Sequence, residues 1–373
     1  MIEVIEKLRR QMSRYQYVYI YGAGFRAKIL TGILLSEMKE LCFSGVVVTD
    51  RKSAKIDFCW NIPIFELQDV YTPSEETLFL IETVDIYRSE ISMELRTAGY
   101  INFTHISEKE FLELKSQYVA KRYESYFDLD LRESQFEQTA EEVGSMIKMY
   151  MVRSEKDKQV KTEVSSPDII TIQGGSAISS KKIAELRDDT GINISQKNRQ
   201  FNEFTVIYWL WKNAIGVSDY IGLCHYRRIF DLNNVREIIK NRQPDIIIAE
   251  PEVLFPSIEE HYCSMHFTKD FNLMKDILQK RYPEYFKFAE KYFSQELFIP
   301  YNMMIAKERV FVQYAKWIFP LLEEIEEKWK PHGDAYEDRA PAFLGEWLTG
   351  VFILYNGNRL KLSYSKIKIL ETR

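Results

Sequence analysis

The sequence predicts two α/β domains, a small doubly wound one first and a larger one behind it. Three observations predict this. The chain has 373 residues, more than one ordinary core accommodates. Short apolar runs of strand length alternate with helix-period stretches through both halves. A glycine turn directly follows the first of those runs, as in a Rossmann-like unit.

Taken in order, the first half opens on "MIEVIEKLRRQMSRYQ", a charged amphipathic helix pattern without the apolar centre of a signal peptide. "YVYIYGAGF" reads as a buried strand and a glycine turn, and "RAKILTGILLSEM" as the helix after it. Gly22, Gly24 and Ala27 fit the G-x-G-x-x-G/A spacing, in which glycines let a phosphate approach the backbone at a helix N-terminus. The next strand, "SGVVVTD", ends in Asp50, placed where an acidic side chain would meet a ribose hydroxyl. "IPIFELQDV", "TLFLIET", the helix "DIYRSEISMELRTAG" and the strand "INFTHIS" complete a Rossmann-like domain over residues 1–112. Gly22, Gly24 and Asp50 form its candidate ligand loop. No Tyr-x-x-x-Lys pair accompanies them, so NAD is not the expected cofactor.

Residues 113–146 are polar, free of proline and helix-prone, and are assigned to a helical linker. Asp128-Leu129-Asp130 within it reads as a solvated acidic helix face. The second domain, residues 147–373, starts with the strand "MIKMYMV" and the run "PDIITIQGG". After a turn at Thr190-Gly191 a long helix is expected, with Phe204, Ile207, Tyr208, Trp211 and Ala214 on its apolar face. "SDYIGLCHYRRIF" reads as one strand, followed by a helix and the strand "PDIIIAEP".

Composition narrows the function classes. Fifty Lys and Arg against 55 Asp and Glu leave a net charge of -5, so no global basic field recruits nucleic acid and an anion site must be local. The four cysteines, Cys42, Cys59, Cys224 and Cys263, show no CxxC spacing, which fits a reducing, cytoplasmic compartment. No uncharged run reaches membrane-spanning length, so any membrane contact is expected to be peripheral. The aromatic content of 14% reads mostly as core.

Three clusters carry chemistry. His225, Tyr226, Arg227 and Arg228 fall at the end of a strand, where open α/β sheets bind ligands. Arginine forks suit phosphate oxygens, so four such residues together suggest an anion site. Strand alternation would send His225 and Arg227 to one face and Tyr226 and Arg228 to the other. The second cluster, "SIEEHYCSMHFTKDF", holds Glu260, His261, Tyr262, His266 and Asp270, with His266 and Asp270 on one face if helical. Its histidines lack H-x-x-x-H spacing, and acceptor or leaving-group contacts are the expectation. In "YEDRAPAFLGEWLTGVFILYN", Glu346 lies on an otherwise apolar helix behind Asp338 and Arg339, as a solvated side chain or as a base with a raised pKa.

"DDTGINISQKNRQFNEFTVIYWLWKN", "DYIGLCHYRRIF", the "EHY…H…D" segment, "YNMMIAKERVFVQYAKWIFPLLEE" and "DRAPAFLGEWL", in this order, resemble the DUF4422-type glycosyltransferases of bacterial capsule and exopolysaccharide synthesis. The resemblance covers residues 147–373 and implies a GT-A-like fold. It implies transfer of a sugar from a nucleotide-sugar donor, taken as UDP-linked, to a glycan or undecaprenyl-linked acceptor at the inner membrane face. It implies donor contacts from Asn193, Lys197, Asn198, His225, Tyr226, Arg227 and Arg228. Glu346 becomes the candidate base with Asp270 second, and His261, Tyr262, His266, Asn302 and Arg339 the candidate acceptor contacts. GT-A strands at this place usually end in a metal-binding D-x-D; here cations stand instead, so Mn²⁺ or Mg²⁺ stays open as cofactor. Members usually begin with a strand ending near a His-Lys pair, where this chain has "MVRSEKD". Two competing expectations are a nucleotide-sugar epimerase or reductase working through the glycine turn with NAD, and a non-catalytic nucleotide-sugar sensor.

Overall fold

The computed structural model describes residues 2–50, 62–83, 85–127, 146–162 and 166–373. The chain forms two compact units, Met1–Tyr123 with Val253–His261, and Glu124–Glu252 with Tyr262–Arg373. The boundary expected at residue 112 falls inside the helix Glu108–Phe127, whose residues up to Tyr123 belong to the first unit. Asp128-Leu129-Asp130, within the expected linker, and Cys59 lie outside the described residues.

In the first unit, β1 (Tyr17–Tyr21), β2 (Gly45–Val48), β3 (Ile64–Glu66), β4 (Thr77–Ile81) and β5 (Phe103–His105) form an all-parallel sheet in the order β3-β2-β1-β4-β5. That is the Rossmann order, with a switch beside β1. Runs such as Thr77–Ile81 are buried along their whole length, as a sheet covered on both faces requires. Gly22 ends β1 with φ +121, and a Cβ there would lie 2.8 Å from the Glu82 carbonyl oxygen, so no other residue fits.

The second unit holds β6 (Ile147–Arg153), β7 (Ile169–Gln173), β8 (Leu186–Arg187), β9 (Tyr220–His225), β10 (Arg228–Phe230), β11 (Ile246–Ala249), β13 (Leu297–Phe298), β14 (Met304–Lys307), β15 (Leu362–Ser365) and β16 (Ile367–Ile369), while β12 (Glu252–Val253) falls where the chain passes from the second unit to the first. Its main sheet runs β15-β11-β14-β9-β6-β7-β8. β6, β7, β8 and β9 are parallel, while β14 runs antiparallel between β9 and β11. The start of β14 therefore meets the ends of β6, β7, β9 and β11 at one edge. Cys224 is fully buried in β9, where burial pushes its thiol up to about 12, while Cys42 is exposed and Cys263 part-buried.

Two expected elements break. "SDYIGLCHYRRIF" is not one strand: the chain reverses at Tyr226 and Arg227, and Arg228 pairs antiparallel with His225. β10 then pairs with β16. The long helix is cut into Asn198–Phe201 and Phe204–Asn213, because Asn202 adopts φ 45 between them.

The helix Ala340–Asn356 runs almost wholly buried through the unit. Gly350 is what admits the neighbouring helix Pro283–Phe293, since a Cβ at 350 would come within 2.1 Å of the Tyr292 hydroxyl. Among the described residues no helix is long and apolar enough to cross a membrane.

Candidate active site

The strand order of the second unit switches direction at β6, with β7 on one side and β9 on the other. Crevices beyond the carboxyl ends of strands at such a switch are where open α/β sheets bind ligands. Arg153 ends β6 there and His225 ends β9, one residue apart in register. The Nε atoms of Arg153 and Arg228 are buried and, among the described residues, have no hydrogen-bond partner. Arg228 lies with its guanidinium 4.5 Å over the Tyr301 ring, and His225 Nε2 donates to the Tyr301 carbonyl oxygen at 2.6 Å. Asp157 folds the loop after β6 by accepting from Ser154 N and Oγ at 2.8 and 2.9 Å. Burial raises its pKa, and the bonds to Ser154 with the charges of Arg153 and His225 counteract that. Tyr226 and Arg227, at the hairpin tip, are part-exposed and make no side-chain hydrogen bond that ties them down among the described residues.

Opposite these cations stands a carboxylate centre. Glu346, part-buried on its helix, accepts from the Tyr301 backbone N–H. Asn302, 1% exposed, donates through Nδ2 to Glu203 at 2.7 Å and accepts at Oδ1 from Thr349 at 2.9 Å. Tyr314 in turn donates to Thr349 at 2.7 Å. Arg339 reaches Asn202: with the amide turned so that Oδ1 faces it, Nε and Nη2 both donate at 3.0 Å. Burial pushes Glu346 up to about 7, and the neighbouring Glu203 charge adds to this. The Tyr301 N–H, Arg228 and Arg339 pull the other way.

Among the described residues, the non-glycine positions with positive φ are Asn202, Gln243, Tyr301 and Asn302. Three of these four surround the Glu203–Glu346 centre. Such backbone costs about 1–3 kcal/mol per residue and persists where the surroundings enforce it.

The second sequence cluster does not assemble as expected. His266 and Asp270 do not share a helix face: the helices Ile258–Met265 and Thr268–Arg281 are separate, and His266 lies between them. Each instead pins the loop before Ala340. His332 Nε2 donates to Asp270 at 2.7 Å with both side chains almost fully buried, and His266 pairs with Glu337 at 3.3 Å. Asp270 is thus held as a structural partner rather than offered as a base. Tyr262 is fully buried against Phe271 and Trp347, out of reach of an acceptor. His261 belongs to the first unit, with its ring 5.9 Å from Phe25.

The "GINISQKN" residues serve their own loop. Asn193 Nδ2 donates to the Gly191 carbonyl, and Asn193 Oδ1 accepts from Ser195 N. Lys197 pairs with Glu326, and Asn198 Nδ2 donates to the Asn202 carbonyl and to Thr205. The organiser is Asp188, which is fully buried and accepts from Gly175 N, Ser176 N, Ser195 Oγ and Thr205 Oγ1. In the first unit, Arg26 pairs at 2.7 Å with Glu82, whose side chain is fully buried beneath the Gly22 turn. The Arg26 guanidinium balances that carboxylate, and its Nη2 is buried without a hydrogen-bond partner among the described residues. Gly24 caps the helix without a side chain, and Asp50 is exposed.

Arg153, Glu203 and Tyr301 are candidate site residues that sequence reasoning missed, as it missed the loop organiser Asp188. Tyr301-Asn302 ahead of an apolar run was the available signal. Among the described residues, no three His, Cys, Asp or Glu side chains are grouped to hold a metal ion.

Residues 148–357, more than half of the chain, match the family model described as "Domain of unknown function (DUF4422)". No curated protein matches the chain. Among solved structures it is similar to the bifunctional glycosyltransferase WbbM in its apo form, at TM-score 0.53 and 22% identity, over 60% of this chain and 44% of that one. The chain thus spans less than half of that protein's length, and the likeness is one of fold.

Proposed function

This chain belongs to the DUF4422 family, and from that premise we propose that it is a glycosyltransferase using a nucleotide-sugar donor. The observation that carries the reading is the placement, at the sheet's switch point, of Arg153 and Arg228, each with a buried Nε that lacks a hydrogen-bond partner among the described residues, beside a carboxyl group raised to about 7. Arg153 and Arg228, with His225 and the part-exposed hairpin tip Tyr226-Arg227, receive the donor diphosphate. The guanidinium forks stabilise the charge that develops on the leaving diphosphate.

Glu346 removes the proton from the acceptor hydroxyl. The acceptor oxygen bonds to the anomeric carbon, the bond to the diphosphate oxygen breaks with its electron pair, and configuration inverts. A base with a pKa near the working pH is the efficient one. Arg339 and Asn302 flank the acceptor side. The finer setting, a capsule or exopolysaccharide glycan carried on a lipid and met at the inner membrane face, follows from the family resemblance and belongs to the same proposal.

The test is thermal stabilisation of the purified chain by UDP-, GDP-, CMP- and dTDP-linked sugars and by NAD, each with Mn²⁺ and with EDTA. One nucleotide-sugar is expected to raise Tm and to keep doing so in EDTA. A shift abolished by EDTA would put a metal on the diphosphate, and a shift with NAD alone would overturn the transferase reading.

A further inference from the structure

We propose that a cleft between the helices Pro283–Phe293 and Glu308–Lys328 is a second saccharide site, which holds a sugar unit of the glycan acceptor apart from the donor site. This deepens the glycosyltransferase reading and rests on it for the identity of the glycan. The cleft has a volume of about 430 Å³, within the range of small-ligand sites. Tyr282, Tyr285 and Trp317 form its aromatic wall, and Arg309, Gln313 and Lys316 line it beside them. A pyranose offers a face of C–H groups and a rim of hydroxyls that both donate and accept, so it calls for a ring flanked by a donor and an acceptor. The rings are braced from behind: Tyr285 stacks on Trp317 with 4.8 Å between ring centres and on Tyr355 with 3.7 Å. Tyr282, half-buried and 6.1 Å from Trp317, is the ring left accessible.

The hydrogen-bonding groups are set by Asn356, 1% exposed at the end of the helix Ala340–Asn356. Its Nδ2 donates to the Phe352 carbonyl at 2.9 Å, which fixes the direction of the amide, and to the Tyr285 hydroxyl at 3.3 Å. Its Oδ1 accepts from Gln313 Nε2 at 3.1 Å. The Tyr285 O–H is thereby left to donate and Gln313 Oε1 to accept, the two functions a sugar hydroxyl asks for. Burial pushes Tyr285 up to about 12, so that donor keeps its proton. The charges do not make an anion site, because Arg309 is engaged by Asp245, and the exposed Lys316 and Glu284 that also line the cleft are opposite in sign.

Arg309 follows the end of β14 and Asp245 precedes the start of β11, so the cleft lies at the sheet edge opposite the one where Arg153 and His225 end their strands. The helix Ala340–Asn356 connects the two places. Glu346 and Asn356 stand on it about 15 Å apart along the axis. A single pyranose cannot occupy both ends, whereas an oligosaccharide can, so the cleft would favour acceptors of several sugars over a lone one.

The test is an NMR titration of the intact chain, its tryptophan indoles labelled with ¹⁵N, by the methyl glycosides of glucose, galactose, mannose, rhamnose, N-acetylglucosamine and glucuronic acid. Trp317→Phe assigns the Trp317 indole resonance, with through-space contacts to the Tyr285 ring as a second assignment. At least one glycoside is expected to shift that resonance saturably, with Kd of about 1–10 mM for so small a ligand. Gln313→Ala, at an exposed position, should weaken this binding about fivefold and leave the Tm shift by nucleotide-sugar unchanged. No saturable shift with any glycoside overturns the proposal, as does a shift that Gln313→Ala leaves unaltered. Inorganic phosphate moving the resonance as strongly as the sugars would make the cleft an anion site of Arg309 and Lys316, and overturns it too. The titration uses neither nucleotide nor turnover, so its failure stands apart from failure of the transferase reading.

Discussion

Glu346 is an acid that folding holds in the wrong state for stability. Its pKa rises from 4.5 to about 7. Between those values the native protein binds more protons than the unfolded chain, so stability falls as pH rises through that window and stays low above it. Below pH 4.5 both states are protonated and the difference vanishes. Glu346→Gln removes the cost of charging, and is expected to stabilise the protein at pH 8 by at most about 3 kcal/mol, with no gain at pH 4. Urea unfolding at the two pH values measures it. Turnover should drop in the same variant while Kd for the donor holds, since the arginines are untouched. Arg228→Lys should do the opposite: it keeps the charge but loses the fork, so KM for the donor is expected to rise about tenfold, or ~1.4 kcal/mol, with the folded structure retained.

At the scale of elements, the helix Ala340–Asn356 sets where Glu346 stands, and its seat depends on bare backbone. Gly350→Ala would drive a methyl group into the Tyr292 ring, with the nearest ring atom at 2.0 Å. The expected loss is about 1–3 kcal/mol, read as a lower Tm in a chain that still binds donor. This glycine could not be understood from the sequence, because the residue it faces is 58 positions away. Other elements were legible. Val46, Val47 and Val48, or Ile246, Ile247 and Ile248, are fully buried strands and read as such from their β-branched runs. The reversal at Tyr226-Arg227 was not legible, since neither residue is a usual turn former. That single hidden turn converts the expected alternation of faces into the His225–Arg228 cross-strand pair, and with it the geometry of the cation site. Glu203 was hidden for a related reason: a helix-period pattern runs straight through it, and only the Asn302 and Arg339 partners, far along the chain, explain the break at Asn202.

At the scale of the molecule, both units are α/β with a glycine-bearing or cationic edge, yet the two edges hold their cations differently. The turn at Gly22 has a buried carboxylate beneath it, engaged by Arg26. The edge formed by β6, β9 and the start of β14 has guanidinium nitrogens left without partners among the described residues. The cation at the Gly22 turn is committed to a buried carboxylate, whereas Arg153, Arg227 and Arg228 gather at the second edge, so a dianionic diphosphate is expected to choose the second unit. Hydrogen exchange on the intact chain resolves the two. Saturating donor is expected to slow exchange around Arg153–Asp157, Gly222–Arg228 and Tyr301–Met304, and to leave the backbone around Gly22–Lys28 unchanged. Slowed exchange confined to Gly22–Lys28 would mean that the Arg26–Glu82 pair opens to admit the ligand, and would move donor recognition to the first unit.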